Sequence, residues 1–399
     1  MKAFLSWAGL ALLWTADGPC PQGSTLFGYP SEGRALCGLS GQPAPTLTTI
    51  QPEAGPGSIA IGTDGLGLIS YYAIGIADLW VAHCSNIECT HATTWPLDRI
   101  GSVGSGSSIA IGADGLGLIA YWDLTNQDLK VAHCSNVACT TATVSTIDRE
   151  GNVGQDAALT IGADGLGLIS YLDFDNWDLK VAHCVDVACT RAVISVVDSF
   201  GEVGVSSSIA KGADGLGLIS YRDQTNLDLK VAHCNDLDCS QATLTTVDGF
   251  GTVGVYSSLT IGGDGLGLIS YRYTDSADLR VAHCLTLDCK LATIATVDAL
   301  DDVATTTAIA TGTDGRGVVS YYDRTNGDLR VARCADLDCR TASLVTLDSA
   351  GNVGVDSAIA IGVDGQPLIT YYDTTNRALK VAHCADAGCQ TFVESRSQR

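Results

Sequence analysis

The chain has little of what long helices are built from. It carries one Met and six Phe in 399 residues, and only 17% of its side chains are charged, while 45 glycines are spread along its length. Glycine disfavours helix interiors and marks turns, so the composition predicts many short strands and tight connections. Positive charge is scarce as well. Twenty-two Lys and Arg stand against 44 Asp and Glu, for a formal net charge of −22. Such a surface repels phosphate backbones and anionic lipid, which excludes nucleic acid as a partner class and leaves cations, basic proteins and neutral glycans.

Apolar runs are short. Lys2 precedes an apolar stretch from Ala3 to Trp14, followed by the small residues Ala16 and Gly18. This reads as a signal peptide over residues 1–18, too short to span a bilayer. No later segment of about 18 apolar residues is present, so membrane insertion is not expected and a secreted, extracellular location is. Residues 19–50 then form an N-terminal segment.

From residue 51 onward the chain is one unit written seven times (51–100, 101–150, 151–200, 201–250, 251–300, 301–350 and 351–399), and its register never slips. Each copy holds Gly-x-Asp-Gly early and Cys-x4-Cys late. Residues 101–150 show four runs rich in β-branched and aromatic side chains: 107–112, 118–122, 129–134 and 142–147. Each is bounded by Gly, Asp or Asn and reads as a strand. Three tight links and one longer one, Asp148 to Asp156, suit a blade whose chain must return from the outer edge to the next inner strand. The expected fold is all-β: a seven-bladed β-propeller with four antiparallel strands per blade. The run Pro45–Ile50 resembles a fourth strand without a blade of its own, and Thr391–Glu394 resembles the same strand in the seventh copy. Either can close the ring.

Sixteen cysteines divide into Cys20 and Cys37 upstream and seven repeated pairs: Cys84 with Cys89, Cys134 with Cys139, Cys184 with Cys189, Cys234 with Cys239, Cys284 with Cys289, Cys334 with Cys339, and Cys384 with Cys389. Positions flanking a hairpin turn face each other at disulfide distance, so one intra-hairpin bridge per blade is expected. Zinc is the competing reading of His83-Cys84 with Cys89, but a structural site wants four ligands and secretion favours oxidation.

Candidate chemistry lies in three places. A histidine precedes the first cysteine of every copy except the sixth, which has Arg333, so the position asks for a buried donor rather than a general base. The second turn repeats Asp-x-Thr-Asn-x-Asp, giving Asp123, Asn126 and Asp128, Asp173 and Asn176, Asp223 and Asn226, Asp323 and Asn326, and Asp373 and Asn376. With Asp98, Asp148, Asp198, Asp248, Asp298 and Asp348 of the crossing loop, these gather carboxylates on one face. Calcium or a hydroxyl-rich ligand is one reading; side chains that cap their own turns is the other. Departures from the repeat mark where a single site would stand. Lys211 replaces a recurrent Ile, and Arg222 and Arg272 replace Tyr72, Trp122, Leu172, Tyr322 and Tyr372, which suggests an anion site near blades four and five. Trp80, Trp122 and Trp177 are aromatic platforms of the kind sugars stack on.

The run Leu-Ile-Ser-Tyr followed by Asp-x-x-Asn-x-Asp-Leu-Lys-Val-Ala-His-Cys resembles repeats of secreted bacterial propeller proteins and is loosely similar to the sialidase and Asp-box propeller superfamily. The resemblance covers nearly everything after residue 45. The sialidase likeness implies an arginine triad with a Tyr and Glu pair, whereas the full Asp-box is missing from Gly112–Gly115. No catalytic residue is assigned. The expected function is a secreted, non-catalytic, lectin-like module binding an extracellular glycan or protein, with weak repeated sites gaining avidity; the alternative is a sialidase-like glycoside hydrolase or lyase with its site over blades four and five.

Overall fold

The computed structural model describes residues 45–389 and, upstream, three short strands. Those strands, Trp14–Ala16, Ser24–Gly28 and Ala35–Leu39, form an antiparallel sheet with Ala35–Leu39 in the middle. The chain divides into two units, 1–44 and 45–399. Apart from those strands, the signal-peptide reading of residues 1–18 lies outside the described residues. So do the side chains of Cys20 and Cys37, left over from the seven pairs and expected to bridge each other, and the run Thr391–Glu394.

The larger unit is a seven-bladed propeller with no helix among its described residues. Blade two is typical, with strands Val103–Ile111, Gly117–Asp123, Asp128–Cys134 and Ala142–Asp148 hydrogen-bonded in sequence order. Its first hairpin turns at Gly112–Gly115, where the Gly115 amide donates to Gly112 O at 2.9 Å. Gly115 has φ +79, a left-handed conformation that a Cβ disfavours. Glycine opens the second strand for a different reason. A Cβ on Gly117 would lie 2.9 Å from Cys134 Sγ and from Leu68 Cδ2 of the preceding blade. The third hairpin carries the disulfide. All seven pairs of the repeat are bonded, with Cα–Cα distances of 4.7 to 4.9 Å.

Each sheet is apolar on both faces because a neighbour covers both. Seven core clusters form, each shared by two adjacent blades, as where Leu129 and Val131 of blade two pack against Ile169 and Tyr171 of blade three. First strands approach one another around the centre, and the Ser108 Oγ of one accepts from the Leu159 amide of the next at 3.1 Å.

The ring closes through the upstream run. Thr46–Pro52 is the outer strand of the last blade, paired antiparallel with Ala378–His383, Val381 opposite Thr48. The same blade packs on the first: Ile59 and Ile69 share a cluster with Leu368 and Val381, and Thr370 Oγ1 donates to Gly57 O at 2.9 Å.

Candidate functional site

The recurrent polar residues are engaged with one another. His133 Nε2 lies 2.8 Å from Asp114 Oδ2 in the Gly-x-Asp-Gly turn, and the pair recurs in the other histidine-bearing blades, as at His233 and Asp214. His183 and His283 also reach the next blade, Nδ1 to Asp238 at 2.7 Å and to Asp338 at 2.9 Å. In the sixth blade Arg333 Nη2 donates to Asp314 at 2.7 Å, so the position supplies a donor whichever residue fills it.

The second-turn aspartates build their turns. Asp123 Oδ1 accepts from the Thr125 and Asn126 amides, and its Oδ2 accepts from Asn126 Nδ2, each at 3.0 Å. Asn176, Asn226, Asn326 and Asn376 bond Asp173, Asp223, Asp323 and Asp373 in the same way. The crossing loop packs on this turn, with the Ser102 amide donating to Thr125 Oγ1 at 2.7 Å. Its carboxylates are buried. Asp148, 5% exposed, accepts from Tyr171 at 2.7 Å and from Lys180 at 2.5 Å, both on the following blade. Lys180 Nζ also stands 3.7 Å from Asp173. A lysine or arginine thus occupies the space between carboxylates where a cation would have to sit. Among the described residues no group of three or more His, Cys, Asp or Glu is arranged to hold a metal ion.

Asymmetry produces the best candidate site. Arg222, Arg272 and Arg324 line one cavity of about 420 Å³ over blades four to six, with Gln224, Tyr256, Thr252, Thr274 and Thr305. Arg222 is 5% exposed; its Nε donates to Gln224 Oε1 at 2.7 Å and its Nη1 to Val253 O at 3.2 Å. Burial lowers its pKa from the ordinary guanidinium value. Arg272 donates to Val303 O, and its Nη2 meets Asp302 at 2.7 Å. Arg324 lies 3.5 Å from the other oxygen of Asp302 and is exposed. Three guanidiniums and one paired carboxylate leave the cavity positive, in a chain whose net charge is negative. None of its lining residues is Asp, Glu or His.

Of the three basic residues singled out in the sequence, the structure brings Arg222 and Arg272 together and leaves Lys211 apart. Lys211 is exposed at the far end of Val203–Lys211, six residues from the cavity-lining Val205, or about 20 Å along a strand. Tyr256 and Arg324 were missed. Tyr256 stands where Gly106, Asp156, Ser206 and Asp356 stand, and Arg324 where Leu124, Phe174, Gln224 and Thr374 stand. Neither position has a recurrent residue to depart from, so the signal that picked out the other arginines is absent there. Tyr256 has φ +54, a left-handed backbone that bulky residues rarely adopt and that its bulge imposes.

No family model matches the chain, and no curated protein matches it. Solved structures do match in fold. Hydrazine synthase from Kuenenia stuttgartiensis aligns over 84% of this chain and 97% of its own at 11% identity, with a TM-score of 0.57. Dihydro-heme d1 dehydrogenase NirN aligns over 83% of this chain and 66% of its own at 10% identity, TM-score 0.50. The NanB sialidase from Streptococcus pneumoniae aligns over 88% of this chain and 71% of its own at 10% identity, TM-score 0.47. These structures differ in chemistry from one another, and the likeness is one of fold alone.

Proposed function

We propose that this protein is a secreted, non-catalytic binding module and that its ligand is a carboxylate-bearing glycan held in the arginine cavity over blades four to six. The observation that carries the reading is the convergence of Arg222, Arg272 and Arg324 on one concave, positive surface beside the exposed ring of Tyr256. Guanidiniums present paired donors that match a carboxylate, and an aromatic edge beside them suits a sugar ring. Arg222 and Arg272 are fixed by backbone carbonyls, so binding costs little side-chain ordering. The turn residues around the ring serve the scaffold, since their oxygens already accept hydrogen bonds inside their own turns.

Binding is favoured over turnover because the cavity lining holds no Asp, Glu or His to act as general acid or base: it lacks both the two carboxyl groups of ordinary glycoside hydrolysis and the Glu of the Tyr and Glu pair that the sialidase likeness implies. Secretion is supported by the seven disulfides, which persist in oxidising compartments. Among the described residues no helix is long and apolar enough to cross a membrane.

The test is a calorimetric titration with acidic and neutral oligosaccharides at two salt concentrations, with the same mixtures assayed for released sugar. The expected result is saturable binding of the acidic series that weakens as salt rises, without product. Binding of the neutral series alone, or turnover, would replace this reading.

A further inference from the structure

Phenylalanine is missing from the packed clusters between blades, whose large buried side chains are Tyr, Leu, Ile and Val. The described part of the ring holds three, Phe174, Phe200 and Phe250, and all are in water, 39%, 84% and 74% exposed. Phe174 belongs to a second turn, and Phe200 and Phe250 to crossing loops. These are the elements that supply Gln224, Thr274, Arg324 and Thr252 to the arginine cavity, so the three rings stand on its face of the propeller.

The rings are not spread evenly. At the loop position of Phe200 and Phe250 the other copies have Ile100, Glu150, Leu300 and Ala350, so aromatic side chains occur only on the two loops that flank the second turn of blade four. That turn carries Gln224. Its amide donates to Glu202 O, in the loop of Phe200, at 2.7 Å, while Thr252, in the loop of Phe250, lines the cavity itself. At the end of the first of these loops the Val203 amide donates to Trp177 O at 2.9 Å. Trp177 packs on Phe174, with ring centroids 4.8 Å apart and planes tilted by 40°. Hydrogen-bonded backbone thus joins an aromatic pair on blade three to the edge of the cavity, with Phe200 on the connecting loop. Trp177 also holds φ +55, a left-handed backbone that Gly327 adopts without strain at the same position of blade six. Strain of this kind clusters at ligand sites.

Aromatic surface left in water suits a ligand with an apolar face. No Lys or Arg occurs in residues 173–178 or 198–203, whereas Asp175 and Glu202 do and are exposed. A carboxylated sugar would be repelled there, and a lipid surface would have to strip water from both carboxylates. An uncharged sugar meets neither cost. Its C–H face stacks on a ring while its hydroxyls stay hydrated.

We infer that the arginine cavity is one subsite of an extended site and that its ligand is an acidic heteropolysaccharide, in which neutral residues adjoin a carboxylated one. The carboxylate enters the cavity, and the neighbouring neutral residues stack on Phe200, Phe250 and the Phe174–Trp177 pair. This rests on the reading of the cavity as the carboxylate site.

The test titrates the full-length protein with hyaluronan oligomers, in which glucuronate alternates with N-acetylglucosamine, from disaccharide to octasaccharide. Oligogalacturonates of the same lengths, charged at every residue, are titrated in parallel. The hyaluronan octasaccharide should bind at least about tenfold more tightly than the disaccharide, and oligogalacturonate should gain less with length. The combined variant Phe174→Gln, Trp177→Gln, Phe200→Ala, Phe250→Ala uses the residues found at these positions as Gln224, Gln127 and Ala350, so the fold should be kept. It should erase the gain with length and leave disaccharide affinity and melting temperature unchanged. Failure of the disaccharide to bind the unmodified protein would overturn the cavity and this extension with it. With the disaccharide bound, equal affinity for the octasaccharide, an equal gain with oligogalacturonate, or a gain that survives the four substitutions would overturn the extended site alone.

Discussion

Tyr121 of the second blade donates its hydroxyl to Asp98 Oδ2 of the first at 2.8 Å, and the Lys130 ammonium meets the same oxygen. Burial alone would raise the Asp98 pKa, but the hydrogen bonds from Lys130 and Tyr121 outweigh it and hold the carboxyl below the usual carboxylate range. Asp98→Ala leaves a nearly buried ammonium and a buried phenol without their acceptor. We expect a loss of about 3 kcal/mol in chemical denaturation, in line with removing one member of a buried pair.

The same pair sets an acid limit. A carboxyl whose folded-state pKa is depressed contributes stability that is fully present above its unfolded value, near 4, and is lost as pH falls through the folded value. Asp148 and Asp348 are lowered for the same causes, each against the effect of its own burial. The stability difference between the unmodified protein and Asp98→Asn should therefore hold steady from about pH 7 to about pH 5 and shrink below about pH 4. Denaturation midpoints measured across that range check it.

The histidine position acts as a donor to the Gly-x-Asp-Gly aspartate. Arg333→His should change stability by no more than about 0.5 kcal/mol, whereas His283→Phe should cost about 1–3 kcal/mol by leaving Asp264 and Asp338 without their shared partner. Thermal unfolding of the two variants distinguishes a donor from a residue kept for proton transfer.

Each disulfide closes a very small loop. Replacing Cys134 and Cys139 together by Ser should cost about 2 kcal/mol on the loop-entropy model, and labelling of denatured, unreduced protein should find no free thiol among the fourteen repeat cysteines. Reactive thiols there would contradict the bridges.

Ring closure depends on a strand remote in sequence from its partner. Thr46–Pro52 is hydrogen-bonded along Ala378–His383, and its Ile50 packs on the cluster that Leu379 and Val381 share with the first blade, so a chain starting at residue 53 should lose at least about 1–2 kcal/mol for that side chain alone. Calorimetry of that truncated chain would show the fall in melting temperature.

The repetition made the fold legible. Strand limits, the Gly-x-Asp-Gly turn and the cysteine pairs recur with one spacing, and local patterns of that kind report local geometry. The ring's closure was not legible, because Pro45–Ile50 and Thr391–Glu394 carry equivalent patterns and only packing on Ala378–His383 selects the first. The crossing-loop aspartates showed the limit of reading a site by residue type. Asp98 and Asp148 looked like members of a surface carboxylate face, yet their partners lie 23 and 32 positions further along the chain, on the next blade. The arginine cavity was half visible, since Arg222 and Arg272 broke the repeat. Arg324 and Tyr256 gave no such signal, because they lie in a turn and a bulge where no residue recurs, and only the folded ring brings them to the same cavity.

The most direct measurement is a titration of acidic oligosaccharide into the Arg222→Tyr, Arg272→Tyr double variant. Tyrosine occupies this position in other blades, and Tyr322 there bonds Asn352 at 2.6 Å, so the fold should be kept. Two charge-assisted contacts are lost, and affinity should fall at least about 100-fold with little change in melting temperature. Unchanged affinity in the folded variant would contradict the assignment of the arginine cavity as the ligand site.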